Sequence, residues 1–169
     1  MRYIIICLLT FLTTGALAAD SNLDILGTYD NWTAYVYKGT DGKTCYMATE
    51  PIKKQGKYKV RDDVFLFVTH HPVEKSFDVV NVMAGYTYRK GSKPALTIDK
   101  NKTVSLVSHA DTAWTQDSDT DTKLVAQMKK GSTAILKGTS ARGTLTTDTF
   151  SMKGFSKAYR DIQKACGRE

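Results

Sequence analysis

Three residues have the types that nucleophilic catalysis uses. Ser140 lies between the glycines of residues 138–143, and His109 and Asp111 are two positions apart. A hydrolase of this kind needs a nucleophile, a base that hydrogen-bonds to it and a third group that orients the base. The stretch around Ser140 lacks the G-x-S-x-G spacing of a nucleophile elbow. The competing interpretation, which we favour, places Ser140 and Arg142 in a surface turn.

Two adjacent histidines are the first candidate for a metal site. His70 and His71 follow an apolar run and precede Pro72. On a strand, neighbouring side chains point to opposite faces, so the two imidazoles could bind one ion together only if the chain turned there. A turn before Pro72 would make this possible, and a strand would exclude it.

Three alternating aspartates resemble the beginning of a calcium-binding loop. They are Asp117, Asp119 and Asp121. A calcium loop of the EF-hand type also needs Gly at its sixth position and Glu at its twelfth, where this chain has Thr122 and Met128. The alternative is a solvated acidic loop that stabilises the N-terminus of a following helix. We therefore predict no metal and no cofactor.

Basic side chains form two clusters with tyrosines between them. The formal net charge of the whole chain is +7. A basic surface of this kind suits an anionic partner such as an acidic glycan, lipopolysaccharide or a lipid headgroup. The alternative is a solvated surface with no specific ligand. The candidate residues for binding an anionic surface are Lys53, Lys54, Lys57, Lys59, Arg61, Arg89, Lys90 and Lys93.

The cysteines indicate an oxidising compartment. The chain has three, of which Cys7 lies in the apolar N-terminal stretch, leaving Cys45 and Cys166. An even pair in an exported protein favours one disulfide, and two buried free thiols are the alternative. The bond would close a loop of about 120 residues and would contribute on the order of 4–5 kcal/mol in the chain-entropy model. No C-x-x-C motif is present, so a thioredoxin-like function is not indicated.

The N-terminus has the features of a secretory signal peptide. Arg2 precedes an apolar stretch from Tyr3 to Leu12, and Ala16-Leu17-Ala18 fits a cleavage motif. We predict a signal peptide over residues 1–18, with cleavage after Ala18 or Ala19. An uncleaved anchor is the alternative, but the apolar stretch is too short to span a bilayer.

Cleavage would leave one domain over residues 19–169, without a further apolar run long enough to cross a membrane. A chain of this length can bury a hydrophobic core. Export predicts a periplasmic, outer-membrane-associated or secreted protein. It also argues against nucleic acid as a partner.

The elements that must position these side chains are mostly strands. Short runs with a period of two, separated by turn residues, predict an all-β sandwich. The run 64–68 is apolar at every position, which predicts a central strand covered on both faces. A change of phase between Leu145 and Phe150 predicts a bulge near Thr147 and Asp148. The predicted strands are 32–37, 44–49, 64–68, 77–83, 85–88, 95–98, 103–107, 133–137 and 144–152.

Two helices are predicted in addition. The first covers residues 123–130, with Asp121 or Thr122 as its N-cap and Gly131 as its stop. The second runs from about Ser156 to Cys166, with an apolar stripe on one side and charged residues on the other. The second helix would carry Cys166, so a disulfide to Cys45 would attach it to an early strand.

The order and spacing of several short motifs resemble the invasion-associated locus B family over nearly all of the predicted mature chain. Each motif is weak alone, and the set is specific. The matching residues are Trp32 with Tyr35, Cys45-Tyr46, Arg61-Asp62, the run 64–69, Pro72-Val73-Glu74, Gly85-Tyr86, Ala113-Trp114, Leu124-Val125, residues 128–132, residues 138–144, Asp148-Thr149, Lys153-Gly154-Phe155 and Cys166.

The resemblance implies an exported envelope protein of a Gram-negative bacterium with an immunoglobulin-like β-sandwich. The family takes its name from host-cell invasion, although many of its members occur in bacteria that invade nothing. Some members have a further cysteine just after the tryptophan of the first strand. This chain has none there, so only the Cys45–Cys166 pair carries over. No catalytic residue of the family maps onto this chain.

Three functional hypotheses follow. The first is an exported, non-enzymatic envelope protein of the invasion-associated type that assists adhesion to host cells or entry into them. The second is a periplasmic accessory or chaperone-like factor with no host role. The third is a hydrolase that uses Ser140 and a histidine.

Overall fold

The computed structural model describes residues 22–168, and the predicted signal peptide with its cleavage site lies outside them. The described residues form twelve strands and two helices. The strands are β1 (Leu23–Tyr29), β2 (Trp32–Gly39), β3 (Gly42–Thr49), β4 (Lys53–Gly56), β5 (Phe65–His71), β6 (Ser76–Met83), β7 (Ala95–Ile98), β8 (Val104–Ser105), β9 (Val107–His109), β10 (Thr112–Trp114), β11 (Thr133–Thr139) and β12 (Leu145–Ser151). The helices are α1 (Ser118–Met128) and α2 (Phe155–Ala165).

The strands form two antiparallel sheets. The larger has seven strands in the order β1-β2-β3-β5-β6-β10-β9, and the smaller has five in the order β4-β12-β11-β7-β8. Most neighbours in the larger sheet are joined by hairpins, of which β2 and β3 turn at Thr40 and Asp41. The predicted β-sandwich is confirmed.

The core lies between the sheets and under the two helices. Alternate residues of each central strand are buried, as the period of two predicts. Trp32 is fully buried, its ring nitrogen donates a hydrogen bond to the carbonyl oxygen of Ser151 at 2.9 Å, and its ring meets Phe155 edge-on at 4.9 Å. Because Trp32 is in the larger sheet, Ser151 in the smaller and Phe155 in α2, this one side chain joins all three.

Helix α1 begins five residues before the predicted start, at Ser118. The side chain of Asp117 accepts a hydrogen bond from the backbone N–H of Thr120 at 2.8 Å, which makes Asp117 the N-cap. Asp121, one of the two predicted caps with Thr122, is instead buried within the first turn. Its carboxylate accepts hydrogen bonds from the N–H of Val80 at 2.8 Å and from the hydroxyl of Thr115 at 2.6 Å. Asp121 therefore fastens α1 to β6.

Three further strand predictions need correction. β5 is central and hydrogen-bonded on both sides, but only Leu66, Val68 and His70 are buried, because the other face of the larger sheet is not covered by any described element. The strand β12 pairs with β11 in unbroken register, so there is no bulge. Leu145 is simply exposed, which explains the apparent change of phase. Residues 85–88 form no strand and make a single bridge, from Tyr88 to Ser140.

Candidate functional site

The turn between β11 and β12 is built around Ser140. The N–H of Ser140 donates to the carbonyl oxygen of Thr144 at 2.9 Å, and the Ser140 hydroxyl accepts from the N–H of Thr144 at 3.1 Å. Gly143 has a φ of +84°, in the left-handed region that favours glycine. The Ser140 hydroxyl has no histidine partner among the described residues, so it acts as a turn residue. Arg142 is exposed at the tip of the turn.

The two basic clusters approach this turn from opposite sides. On one side, the N–H of Ala141 donates to Thr87 at 2.8 Å, and the N–H of Arg89 donates to Thr139 at 2.9 Å. On the other side, β4 runs along β12 and ends with Gly56 opposite Thr146. The two basic clusters, about thirty residues apart in the sequence, therefore both lie beside the hairpin of β11 and β12.

Arg61 differs from the other seven basic candidates because its charge is buried. Its two terminal nitrogens donate to the two carboxylate oxygens of Asp148, each at 2.7 Å, and its Nε donates to the carbonyl oxygen of Ala84 at 2.7 Å. The side chains are 3% and 0% exposed. Arg61 is therefore neutralised inside the protein and does not contribute to an exposed binding surface.

The buried ion pair supports two tyrosine rings. The guanidinium carbon of Arg61 lies 4.8 Å from the centre of the Tyr86 ring and 5.5 Å from that of Tyr58. The hydroxyl of Tyr86 is hydrogen-bonded to that of Thr146 at 2.6 Å. Burial raises the pKa of Tyr86, so the ring remains neutral at physiological pH. The two rings form an uncharged wall beside the exposed lysines.

The exposed basic residues line adjoining cavities around the turn. The first, of about 440 Å³, is lined by residues 57–61, by Tyr86 and Ser140, and by Arg142. The second, of about 700 Å³, shares Lys57 and Arg142 with it. Neither cavity is lined by an Asp or Glu side chain, so the positive charge of Lys57, Lys59 and Arg142 is not offset there.

A third cavity, of about 390 Å³, lies on the opposite side of the hairpin and is lined by Lys93 and Lys137. It also has no acidic lining residue. By contrast, a cavity of about 320 Å³ at the turn between β2 and β3 is lined by Asp41 and Glu74 as well as Lys43, so its charges are mixed. We define the basic end of the molecule as Lys57, Lys59, Arg89, Lys90, Lys93, Lys137 and Arg142.

Sequence reasoning placed Arg142 in a surface turn and did not single out Lys137 as a binding residue. Both lie outside the two clusters, and only the register of the hairpin brings them beside those clusters. The remaining candidates, Lys53 and Lys54, are exposed along the edge strand β4.

A comparison with protein families decides what kind of protein this is. The model of the invasion associated locus B protein matches residues 32–163. The chain belongs to the invasion-associated locus B family. It also resembles the crystal structure of invasion associated protein B from Bartonella henselae, with 20% sequence identity and a TM-score of 0.58, over 85% of this chain and 98% of the other. That likeness shows the fold alone. None of the curated proteins compared with this chain matches it.

The disulfide of this invasion-associated locus B protein joins Cys45 on β3 to Cys166 at the end of α2. The sulfur atoms are 2.02 Å apart and the bond closes a separation of 121 residues. It fixes α2 against the buried face of the larger sheet. A disulfide indicates an oxidising compartment.

The candidate metal ligands of this family member do not form a site. The histidines lie on opposite faces of a strand, and the aspartates belong to a helix. His70 is buried and His71 lies on the opposite face of β5. Asp117 caps α1 and Asp121 is buried beneath it, so the aspartates belong to a helix and not to a loop. Within residues 22–168, no three His, Cys, Asp or Glu side chains are grouped to hold an ion. No helix in this range is long and apolar enough to cross a membrane.

Proposed function

We propose that this invasion-associated locus B protein is exported to the cell envelope and acts by binding, without catalysis, to an anionic glycan such as that of lipopolysaccharide or a host surface. The observation that carries the proposal is the basic end. There Lys57, Lys59 and Arg142 line two adjoining cavities that have no acidic lining residue. Ammonium and guanidinium groups are the usual ligands of phosphate and carboxylate.

The surroundings of the three cations favour a glycan over a free ion. The first cavity has an uncharged wall, which is formed by the rings of Tyr58 and Tyr86 together with the half-buried Thr144. Aromatic rings and hydroxyls can contact the body of a sugar while the cations bind its acidic groups. The volumes of about 440 and 700 Å³ are within the range of ligand cavities in proteins.

Two observations support export. The disulfide between Cys45 and Cys166 is of a kind that persists in the periplasm and outside the cell. The segment 1–18 has the composition of a signal peptide, with an apolar run and Ala16-Leu17-Ala18. The non-enzymatic assignment is supported by Ser140, whose hydroxyl accepts a backbone hydrogen bond in the turn.

Binding is tested with vesicles that contain lipopolysaccharide, compared with neutral phosphatidylcholine vesicles. The test variant combines Lys57→Gln, Lys59→Gln and Arg142→Gln. The matched control combines Lys100→Gln, Lys102→Gln and Lys123→Gln, which removes the same charge from exposed positions elsewhere. We expect the affinity of the test variant for the lipopolysaccharide vesicles to fall tenfold or more, while the affinity of the control changes little. Added salt should weaken the binding of the wild type. Equal losses in both variants would reduce the effect to net charge and refute the site.

Localisation is tested separately by fractionating the native host and shaving intact cells with protease. Loss of the protein on shaving would support a role in adhesion or entry. Protection inside the periplasm would favour the second hypothesis, an accessory envelope factor. Recovery of the folded chain from the cytoplasm with reduced cysteines would refute export.

A further inference from the structure

The outer face of the seven-stranded sheet carries no charge. We define the outer face as the side chains that alternate with the buried ones along these strands. The seven strands contain four charged residues, and these lie at the alternate positions of the inner side. Asp24 is opposite Val36, Lys38 is opposite Lys43, and Asp78 is buried.

Aromatic residues occupy the centre of the outer face. The rings of Tyr35 and Tyr46 stack at 4.9 Å, Tyr46 and Phe67 lie 6.4 Å apart, and Phe67 and Phe65 lie 5.7 Å apart. These side chains are half-buried by their neighbours in the sheet only. No element within residues 22–168 packs over them, because α1 and α2 both lie on the inner side. Trp114 extends the apolar surface across β10.

We infer that the outer face binds a second copy of this chain, sheet against sheet, to form a symmetric homodimer. Charge favours this occupant. The chain has a formal net charge of +7, so two copies repel each other over most of their surfaces. The outer face is where two copies can meet without placing like charges together. Depletion of charge and enrichment in aromatic residues also distinguish protein interfaces from the rest of a surface.

The size of the outer face also fits. Seven strands spaced about 4.8 Å apart span roughly 30 Å, and the longest strands are about 25 Å long. The sheet narrows toward β9 and β10, which have three residues each. The face therefore offers on the order of 600 Å² per copy, close to the about 800 Å² that each partner buries in an interface of standard size. Two identical sheets twist with the same hand, so they can pack face to face at the usual angle of about 30°.

The test uses the exported form of the chain, without the predicted signal peptide over residues 1–18 and with its disulfide intact. Mass is measured by light scattering on a sizing column, over a dilution series from the highest soluble concentration. The test variants are Thr69→Arg and Tyr46→Arg, because Thr69 and Tyr46 are opposite each other at the centre of the outer face. The matched control is Val73→Arg, which changes an exposed side chain in the turn between β5 and β6. Thermal unfolding of each variant shows whether it is folded.

Tryptophan fluorescence gives a second readout. The chain has two tryptophans, of which Trp32 is fully buried and Trp114 is 37% exposed on the outer face. We expect the wild type to be a dimer whose tryptophan emission shifts to the red on dilution. Thr69→Arg should be folded and monomeric at all concentrations, and Val73→Arg should behave as the wild type. A wild-type chain that is monomeric throughout would overturn the inference. So would a dimer that persists in both test variants.

Discussion

Arg61 and Asp148 form a parallel pair of hydrogen bonds, both 2.7 Å long, between a segment that precedes β5 and the strand β12. Neither side chain is exposed by more than 3%. The pair joins the segment that carries Lys57 and Lys59 to the hairpin that carries Arg142. A buried ion pair is not by itself a large source of stability, but its loss leaves an unpaired charge in the interior.

We therefore expect Asp148→Asn to destabilise the fold by about 3–5 kcal/mol, because it leaves the Arg61 guanidinium buried without a counter-charge. Urea unfolding measures the change. Arg61→Met and the double variant complete a mutant cycle. The coupling between the two sites should be in the range of roughly 0.5–3 kcal/mol. Additive effects would show that the two residues do not act as a pair.

The disulfide should contribute a large part of the stability. It closes a separation of 121 residues, so Cys166→Ser should cost a few kcal/mol, up to about 5. The melting temperature in oxidising buffer measures this. Cys45→Ser should behave alike, and a reductant should lower the melting temperature of the wild type toward that of the variants. A reductant without effect would contradict the prediction.

The stability should depend on the protonation of His70. Burial lowers the pKa of His70. The nearby carboxylate of Asp78 partly opposes this shift, and the cations Arg168 and Lys129 lower the pKa further. The His70 Nδ1 accepts a hydrogen bond from the N–H of Asp78 at 3.1 Å, so the folded protein holds the imidazole neutral. The pKa of His70 in the folded protein is thus below the ordinary histidine value of 6.5, so the unfolded chain binds the extra proton first as the pH falls.

The stabilisation by neutral His70 is accordingly present above pH 6.5 and is lost as the pH falls below it. His70→Asn keeps an acceptor near the Asp78 N–H and removes the titration. We expect the wild type to lose more unfolding free energy than His70→Asn between about pH 7.5 and about pH 5.5, by at most roughly 1.4 kcal/mol per pH unit. Parallel pH profiles would show that other groups cause the acid sensitivity.

Gly154 is required where the chain enters α2. Its φ is +93°, and a Cβ at this position would overlap the carbonyl oxygen of Tyr29. Gly91 has a φ of +75° with open space around it, which makes Gly91→Ala a matched control for the backbone strain alone. We expect about 1 kcal/mol of destabilisation for Gly91→Ala and clearly more for Gly154→Ala. Equal losses in thermal or urea unfolding would show that the contact with Tyr29 is relieved at little cost.

Much of the fold could be predicted from local patterns. The alternation of apolar residues at Trp32, Ala34 and Val36 predicts a strand without knowledge of what packs on it. The pleat of a strand alone sets this period of two. The amphipathic stripe that defines α2 is local in the same way. The pairing of Cys45 with Cys166 follows from counting, once the cysteine in the predicted signal peptide is set aside.

Other features depended on tertiary structure. The sequence predicts Asp121 or Thr122 as the N-cap of α1, but the N-cap is Asp117, because the carboxylate of Asp121 accepts a hydrogen bond from the N–H of Val80 on β6. Arg61 looks like a member of a basic surface cluster, and only the approach of Asp148 from a distant strand turns it inward.

The same distinction separates the two surfaces on which the proposals rest. Periodicity and composition are local properties, so a β-rich, basic chain with a pair of cysteines could be predicted without a structure. That Phe65 and Phe67 are left uncovered, and that Arg142 lies between two lysine clusters, is a result of the tertiary fold. Which face of a sheet is covered, and which loops meet, depends on contacts between residues far apart in the chain, and a local pattern does not encode them.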